Sequence, residues 1–178
     1  IKNNDKVGLL LFSDKIEKYI PPQKGKSHVL RVIREMIFHR AEYPQTNIEH
    51  ALDHIIKVLK RKSIIFLLSD FLDDSFYKTM KVVNKKHDLI NIQILDNSEY
   101  TLPDLGLIKL HDVENKSSQW IDTSSKDNRK LIADAFSKNQ ILINNFCKRN
   151  KIDIISINSQ DGYLQPFVDF FNKRINRQ

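Results

Sequence analysis

Apolar residues in this chain come in short unbroken runs that stop at acids. The run from Ile64 to Leu68 leads straight into Ser69-Asp70-Phe71-Leu72-Asp73. It shows no alternation, which predicts a strand buried on both faces of a parallel sheet. Val7 to Phe12 is a second such run, ending at Ser13-Asp14, and Asp88 to Asp96 is a third. Ile152 to Ile157 gives a last strand. Ligands of open α/β sheets bind beyond the carboxyl ends of the strands, which is where Asp70 falls. Ser69 and Asp70 are also residue types that cap a following helix, so the pattern alone leaves both roles open.

Between these runs the period changes from strand to helix. Val29, Ile33, Met36 and Ile37 mark one face of a helix starting near His28. Pro44-Gln45-Thr46-Asn47 opens another, with Ile48, Leu52, Ile55 and Leu59 inward and His50, Asp53, His54 and Lys57 opposite. Asp74 to Lys85 carries Phe76, Met80 and Val83. About Lys126 to Arg149 carries Ile132, Phe136, Ile143 and Cys147, and Tyr163 to Arg174 carries Leu164, Phe167, Val168 and Phe171. Lys18-Tyr19-Ile20 follows the first strand too closely for a crossover, so it predicts an antiparallel partner, and Pro21-Pro22 marks it as a sheet edge. Leu107 to Asp112 and Ser118 to Asp122 flank Glu114-Asn115-Lys116 as an inserted hairpin. The expected fold is one α/β domain over 1–178, a doubly wound, mostly parallel sheet with helices on both faces.

Composition narrows the function classes. The 178 residues carry a net charge of +7 and a single cysteine, Cys147. That excludes a disulfide framework and a cysteine-based zinc site, and a reducing, cytoplasmic setting is the simplest fit. No apolar run is long enough to span a bilayer. The basic residues are scattered: Lys60-Arg61-Lys62, Lys85-Lys86, Lys148-Arg149 and Lys173-Arg174. Each group sits at an expected helix end, where cations complement the dipole, rather than along a nucleic-acid-binding stripe. With four glycines, no phosphate-binding loop or nucleophile elbow can be written. His50 and His54 have zinc-ligand spacing but share a charged face and lack a third ligand, so they read as a solvated helix face. A hydroxyl at Thr46 and the carboxylate of Asp70 would meet at one sheet edge and suit magnesium or manganese.

Longer stretches bring a family into view. Asn3 to Asp14, Ile20-Pro21-Pro22, Lys24-Gly25, Arg61-Lys62-Ser63 leading to Ser69-Asp70-Phe71-Leu72-Asp73, and Leu102 to Leu107 resemble the bacterial family called domain of unknown function fifty-eight. That resemblance implies a von Willebrand factor A-like fold and a MoxR-type AAA+ ATPase as partner. It matches Thr46 and Asp70 to an incomplete metal-ion-dependent adhesion site, with Ser69 and Asp73 at its periphery. It also implies a first strand with an Asp-x-Ser-x-Ser motif, absent here. The domain is therefore expected to be truncated at its start, with magnesium or manganese held in the intact protein and weakly at best in this chain.

The expected function is a non-catalytic, metal-dependent protein-binding module. A metal-dependent phosphoesterase using Asp14, Asp70, Asp73 and Asp96 is the alternative, and a basic nucleic-acid-binding domain the third. An unpaired strand edge also makes self-association an expectation.

Overall fold

A computed structural model describes residues 5–73, 75–97, 101–111 and 118–176. Asp74 and the Glu114-Asn115-Lys116 turn lie outside the described residues. In chain order the elements are β1 (Val7–Phe12), β2 (Ile16–Gln23), α1 (Lys26–Phe38), α2 (Ile48–Val58), β3 (Ile64–Ser69) and α3 (Tyr77–Lys86). They continue with β4 (Asp88–Leu95), β5 (Leu107–His111), β6 (Ser118–Asp122), α4 (Lys126–Asn150), β7 (Asp153–Asn158) and α5 (Leu164–Ile175).

The centre is a three-stranded parallel sheet ordered β3-β4-β7. Leu67 stands beside Asn91 and Ile92 beside Ile155, so residues of one parity share a face across all three strands. One face is closed by α2, α3 and α4. Leu67 and Leu89 pack there with Ile48, Leu52, Met80, Val83, Ile143 and Cys147, and Phe71 and Phe76 join them from the loop after β3. Asn91 is fully buried in this core, and its amide donates to Met80 Sδ at 3.3 Å and Cys147 Sγ at 3.4 Å. On the other face Phe167 and Phe170 of α5 cover Ile90, Ile92, Ile155 and Ile157. The α/β class is as expected, with helices on both faces.

Burial corrects three expectations. Ile64, Phe66 and Leu68 are exposed, so β3 is covered on one face only: α5 reaches β4 and β7 and stops short of it. On α1, Val32 is buried while Ile33, Met36 and Ile37 are exposed. On α5, Leu164, Val168 and Phe171 are exposed and Phe170 does the packing instead. In each case the apolar period is real, but the element has two apolar flanks and only one is met by a neighbour.

The antiparallel strand is also placed differently. β1 and β2 pair with each other as a separate two-stranded ladder, as do β5 and β6. The β1–β2 hairpin is tight at Gly8, where a Cβ would lie 2.9 Å from the Ile20 carbonyl oxygen and 3.0 Å from the Pro22 ring. Its register thus depends on a residue without a side chain. Helix ends follow local chemistry. Ser125 accepts from the Asn128 N–H to start α4, and Lys151 (φ 54°) stops it in the left-handed conformation, its N–H bonded to Cys147 and Lys148 carbonyls.

Two charged anchors fix the periphery. Arg174 of α5 donates to both Asp88 oxygens and lies 3.6 Å from Asp153, pinning the helix to the starts of β4 and β7. Glu17 of β2 is almost wholly buried and meets the His39 ring at 2.6 Å, while its other oxygen accepts from the Glu42 and Tyr43 N–H groups. Burial opposes ionisation of Glu17, but His39, Ser13 and those N–H groups outweigh it and hold its carboxyl below the usual range.

Two outcomes follow. Arg174→Ala should lower unfolding free energy by about 1–2 kcal/mol in urea titrations, because both partners are partly solvated. Since the folded-state pKa of Glu17 is depressed, its stabilisation is present above the ordinary carboxylate pKa of about 4 and is lost as pH falls through the lower folded value. Glu17→Gln should therefore lower stability at pH 7 and shrink the difference between pH 7 and pH 3, read from thermal midpoints.

Candidate functional site

Three loops meet at the carboxyl ends of β1 and β3, and the amino end of α2 ties them together. Asn47 caps α2, its side-chain oxygen accepting from the His50 N–H at 2.8 Å. The Asn47 N–H donates to the Ser13 carbonyl at 3.0 Å, just past β1. The next N–H, that of Ile48, donates to an Asp73 carboxylate oxygen at 3.0 Å, just past β3. Successive residues of one helix start therefore hold the exits of two strands. Asp73 also accepts from the Ser75 N–H and hydroxyl at 2.9 Å, which closes an Asx-turn ahead of α3.

The loop between β3 and α3 is shaped by Phe71. Its φ is 59°, a left-handed value that costs a bulky residue energy, while its side chain is fully buried. Burial of the ring and the Asn139 amide, which donates to the Phe71 carbonyl at 2.9 Å, hold the strained turn in place. The turn swings the preceding Asp70 outward. Asp70 is exposed and accepts from the Leu72 N–H and the Ser69 hydroxyl, each at 3.3 Å, while Ser69 Oγ accepts from the Phe71 N–H at 3.0 Å. Neither Ser69 nor Asp70 caps α3, whose first turn lacks a side-chain cap.

Of the expected site residues, then, Thr46 and Asp70 are exposed in neighbouring loops of this cluster. Ser69 braces the turn, and Asp73 is engaged with α2. Asp14 lies in the same cluster, at the β1 exit: it takes a 3.3 Å bond from the Ser13 hydroxyl, and its carbonyl faces His50 Nδ1 at 3.2 Å. Asp96 follows β4 at the same sheet edge. Among the described residues no three His, Cys, Asp or Glu side chains are grouped to hold a metal ion. His50, Asp53 and Lys57 are exposed, as expected of a solvated helix face, while His54 is half-buried and meets Tyr19 edge-on at 5.4 Å, and His50 Nδ1 faces the Asp14 carbonyl of the β1–β2 turn. A shallow depression of about 180 Å³ lies away from these loops, between β6 and the start of α4, against Trp120 and Leu131. Sequence reasoning missed the reach of Asp73 to α2 and the backbone of Phe71. The Asp73-x-Ser75 spacing was a usable sign of the Asx-turn alone, not of the reach to α2.

A family model described as "Protein of unknown function DUF58" matches residues 1–141. The chain belongs to the DUF58 family. Uncharacterized protein Rv1480 of Mycobacterium tuberculosis and Uncharacterized protein Mb1516 of Mycobacterium bovis are each 23% identical to it over 118 residues, 62% of this chain and 36% of theirs. This DUF58 chain thus spans about a third of the length of the curated relatives it matches. The crystal structure of the conserved hypothetical protein BatB from Bacteroides thetaiotaomicron resembles its fold, with a TM-score of 0.54 and 11% identity over 97% of this chain and 80% of that one. No described helix of the DUF58 chain is long and apolar enough to cross a membrane.

The two acids of the β3 exit should separate cleanly. Asp73→Ala removes a helix-start acceptor and should cost about 1–2 kcal/mol, whereas Asp70→Ala should stay within about 0.5 kcal/mol, both read from urea unfolding.

Proposed function

We propose that this DUF58 domain is a non-catalytic, cytoplasmic protein-binding module with a von Willebrand factor A-like fold. Its partner is a MoxR-type AAA+ ATPase, and its contact is made through magnesium or manganese in the intact protein. The observation that supports this reading is the outward carboxylate of Asp70, presented by a strained turn where three loops converge. A rigid, exposed carboxylate beside the Thr46 loop suits a hard cation that keeps a coordination position open. A carboxylate from the partner protein would fill that position, so binding would depend on metal without any bond being broken. Thr46 and Asp70 would be ligands, directly or through water, and further ligands would have to come from outside the described residues. Asp73 would support the site by holding α2 rather than by touching the ion.

The reading has a direct test. Asp70→Ala in the full-length protein should abolish magnesium-dependent capture of the ATPase while leaving circular dichroism and thermal midpoint unchanged. Capture that survives in that variant, or in EDTA, would remove Asp70 and the metal from the mechanism.

A further inference from the structure

An exposed loop of this chain is held by a buried charge. Residues 39–47, between α1 and α2, form neither helix nor strand, and Arg40 to Thr46 are exposed. A segment with so few buried apolar contacts is expected to open readily. Yet Glu17 of β2, whose side chain is only 3% exposed, is turned toward it. One carboxylate oxygen meets His39 Nε2 at 2.6 Å, and the other accepts from the Glu42 N–H at 3.2 Å and the Tyr43 N–H at 3.4 Å. Lys15, nearer the hairpin turn, holds its ammonium 3.9 Å over the Tyr43 ring. Withdrawing a carboxylate from water is costly unless other donors replace the water. Most of the replacements come from the loop and none from the apolar core, so this buried charge orders the loop.

A second anchor follows at once. The Asn47 N–H donates to the Ser13 carbonyl at 3.0 Å. Ser13 is itself buried, and its hydroxyl is shared between the Asp14 and Glu17 carboxylates. Both anchors therefore converge on the turn that joins β1 to β2. Between them lie Pro44, Gln45 and Thr46. Pro44 fixes its own φ and biases Tyr43 toward extended backbone, which leaves the short span little freedom. Lys18 of β2 meets Glu35 of α1 at 3.5 Å, so the helix that delivers the loop is tied to the same hairpin. The backbone at Thr46 is thus set from both sides, against the exit of β1.

We infer that the β1–β2 turn is a clamp that fixes the Thr46 loop at the carboxyl edge of the fold, with Glu17 and Ser13 as positioning residues of the candidate site. The role at a metal ion rests on the function proposed above; the clamp itself does not. The two halves of the site then owe their places to different devices. Asp70 is set by the buried ring of Phe71, and Thr46 by the buried carboxylate of Glu17. Loosening one half leaves the other in place.

Amide exchange in the full-length protein, followed by NMR in EDTA, tests the clamp without any metal. In the unaltered protein the Glu42 and Tyr43 amides should exchange at least about tenfold more slowly than in an unstructured peptide of the same sequence. Glu17→Leu removes both acceptor oxygens and nearly keeps the volume. It should raise exchange at these two amides about tenfold, speed tryptic cleavage after the exposed Arg40 about fivefold, and leave β3, β4 and β7 unchanged. Glu17→Gln keeps one acceptor oxygen and should restore part of the protection. Arg174→Ala, which weakens the fold elsewhere, should release nothing. Unprotected Glu42 and Tyr43 amides in the unaltered protein would overturn the clamp, with no variant needed. So would a folded Glu17→Leu protein with unchanged exchange and cleavage, or equal release by Arg174→Ala. Manganese titration then tests the site: Glu17→Leu should weaken binding about fivefold with circular dichroism unchanged. A released loop with unaltered manganese affinity would overturn the positioning role. Absence of manganese binding by the unaltered protein would overturn the metal-site reading, and the site role of Glu17 with it, but not the clamp.

Discussion

Parallel strands bring apolar residues to both faces, because consecutive side chains alternate while the whole strand is hydrophobic. Everything else in this chain is arranged around that requirement. Three helices, α2, α3 and α4, satisfy it on one side and trap Asn91 among sulfur atoms and aliphatic carbons. A single helix, α5, serves the other side and leaves β3 bare. The sheet is therefore closed on one face, where the Asn91 amide N–H groups reach Met80 and Cys147 sulfur, and uncovered at β3 on the other.

The same helix layer that closes the core also builds the carboxyl edge. The amino end of α2 is held by the exits of β1 and β3, and Phe71 is held by the core beneath it. Strain at Phe71 is thereby offset by burial, and Asp70 inherits its position from packing rather than from its own bonds. A change deep in the core, at Phe76 or Ile143, would move this edge as surely as a change in the loop itself.

Much of this was legible in the residues. Unbroken runs ending in acids placed the strands, periodic runs placed the helices, and Pro21-Pro22 with the short link marked the antiparallel pair. Burial was less legible. Apolar periodicity states that a surface can be covered, and Ile33, Leu164 and Phe171 are apolar whether or not a neighbour arrives. The β1–β2 hairpin looked like an edge of the main sheet because pairing beyond nearest neighbours has no local signature. That the loops carrying Thr46 and Asp70 share one sheet edge was readable from the order of the elements, and the Ile48–Asp73 bond joins those loops. The roles of Phe71 and Asp73 were not, since one is a backbone angle in a bulky residue and the other a bond across 25 positions of chain.

Cys147 gives the core a built-in reporter. It is fully buried, and burial, tempered by the Asn91 amide, pushes its thiol up to about 11. At neutral pH the thiolate fraction is negligible, and no alkylating reagent reaches the sulfur while α4 is seated. Its modification rate thus counts openings of the α4 layer, at a site no other cysteine of these 178 residues can confuse. A cysteine introduced on the exposed surface could likewise carry a spin label or dye without background from the core.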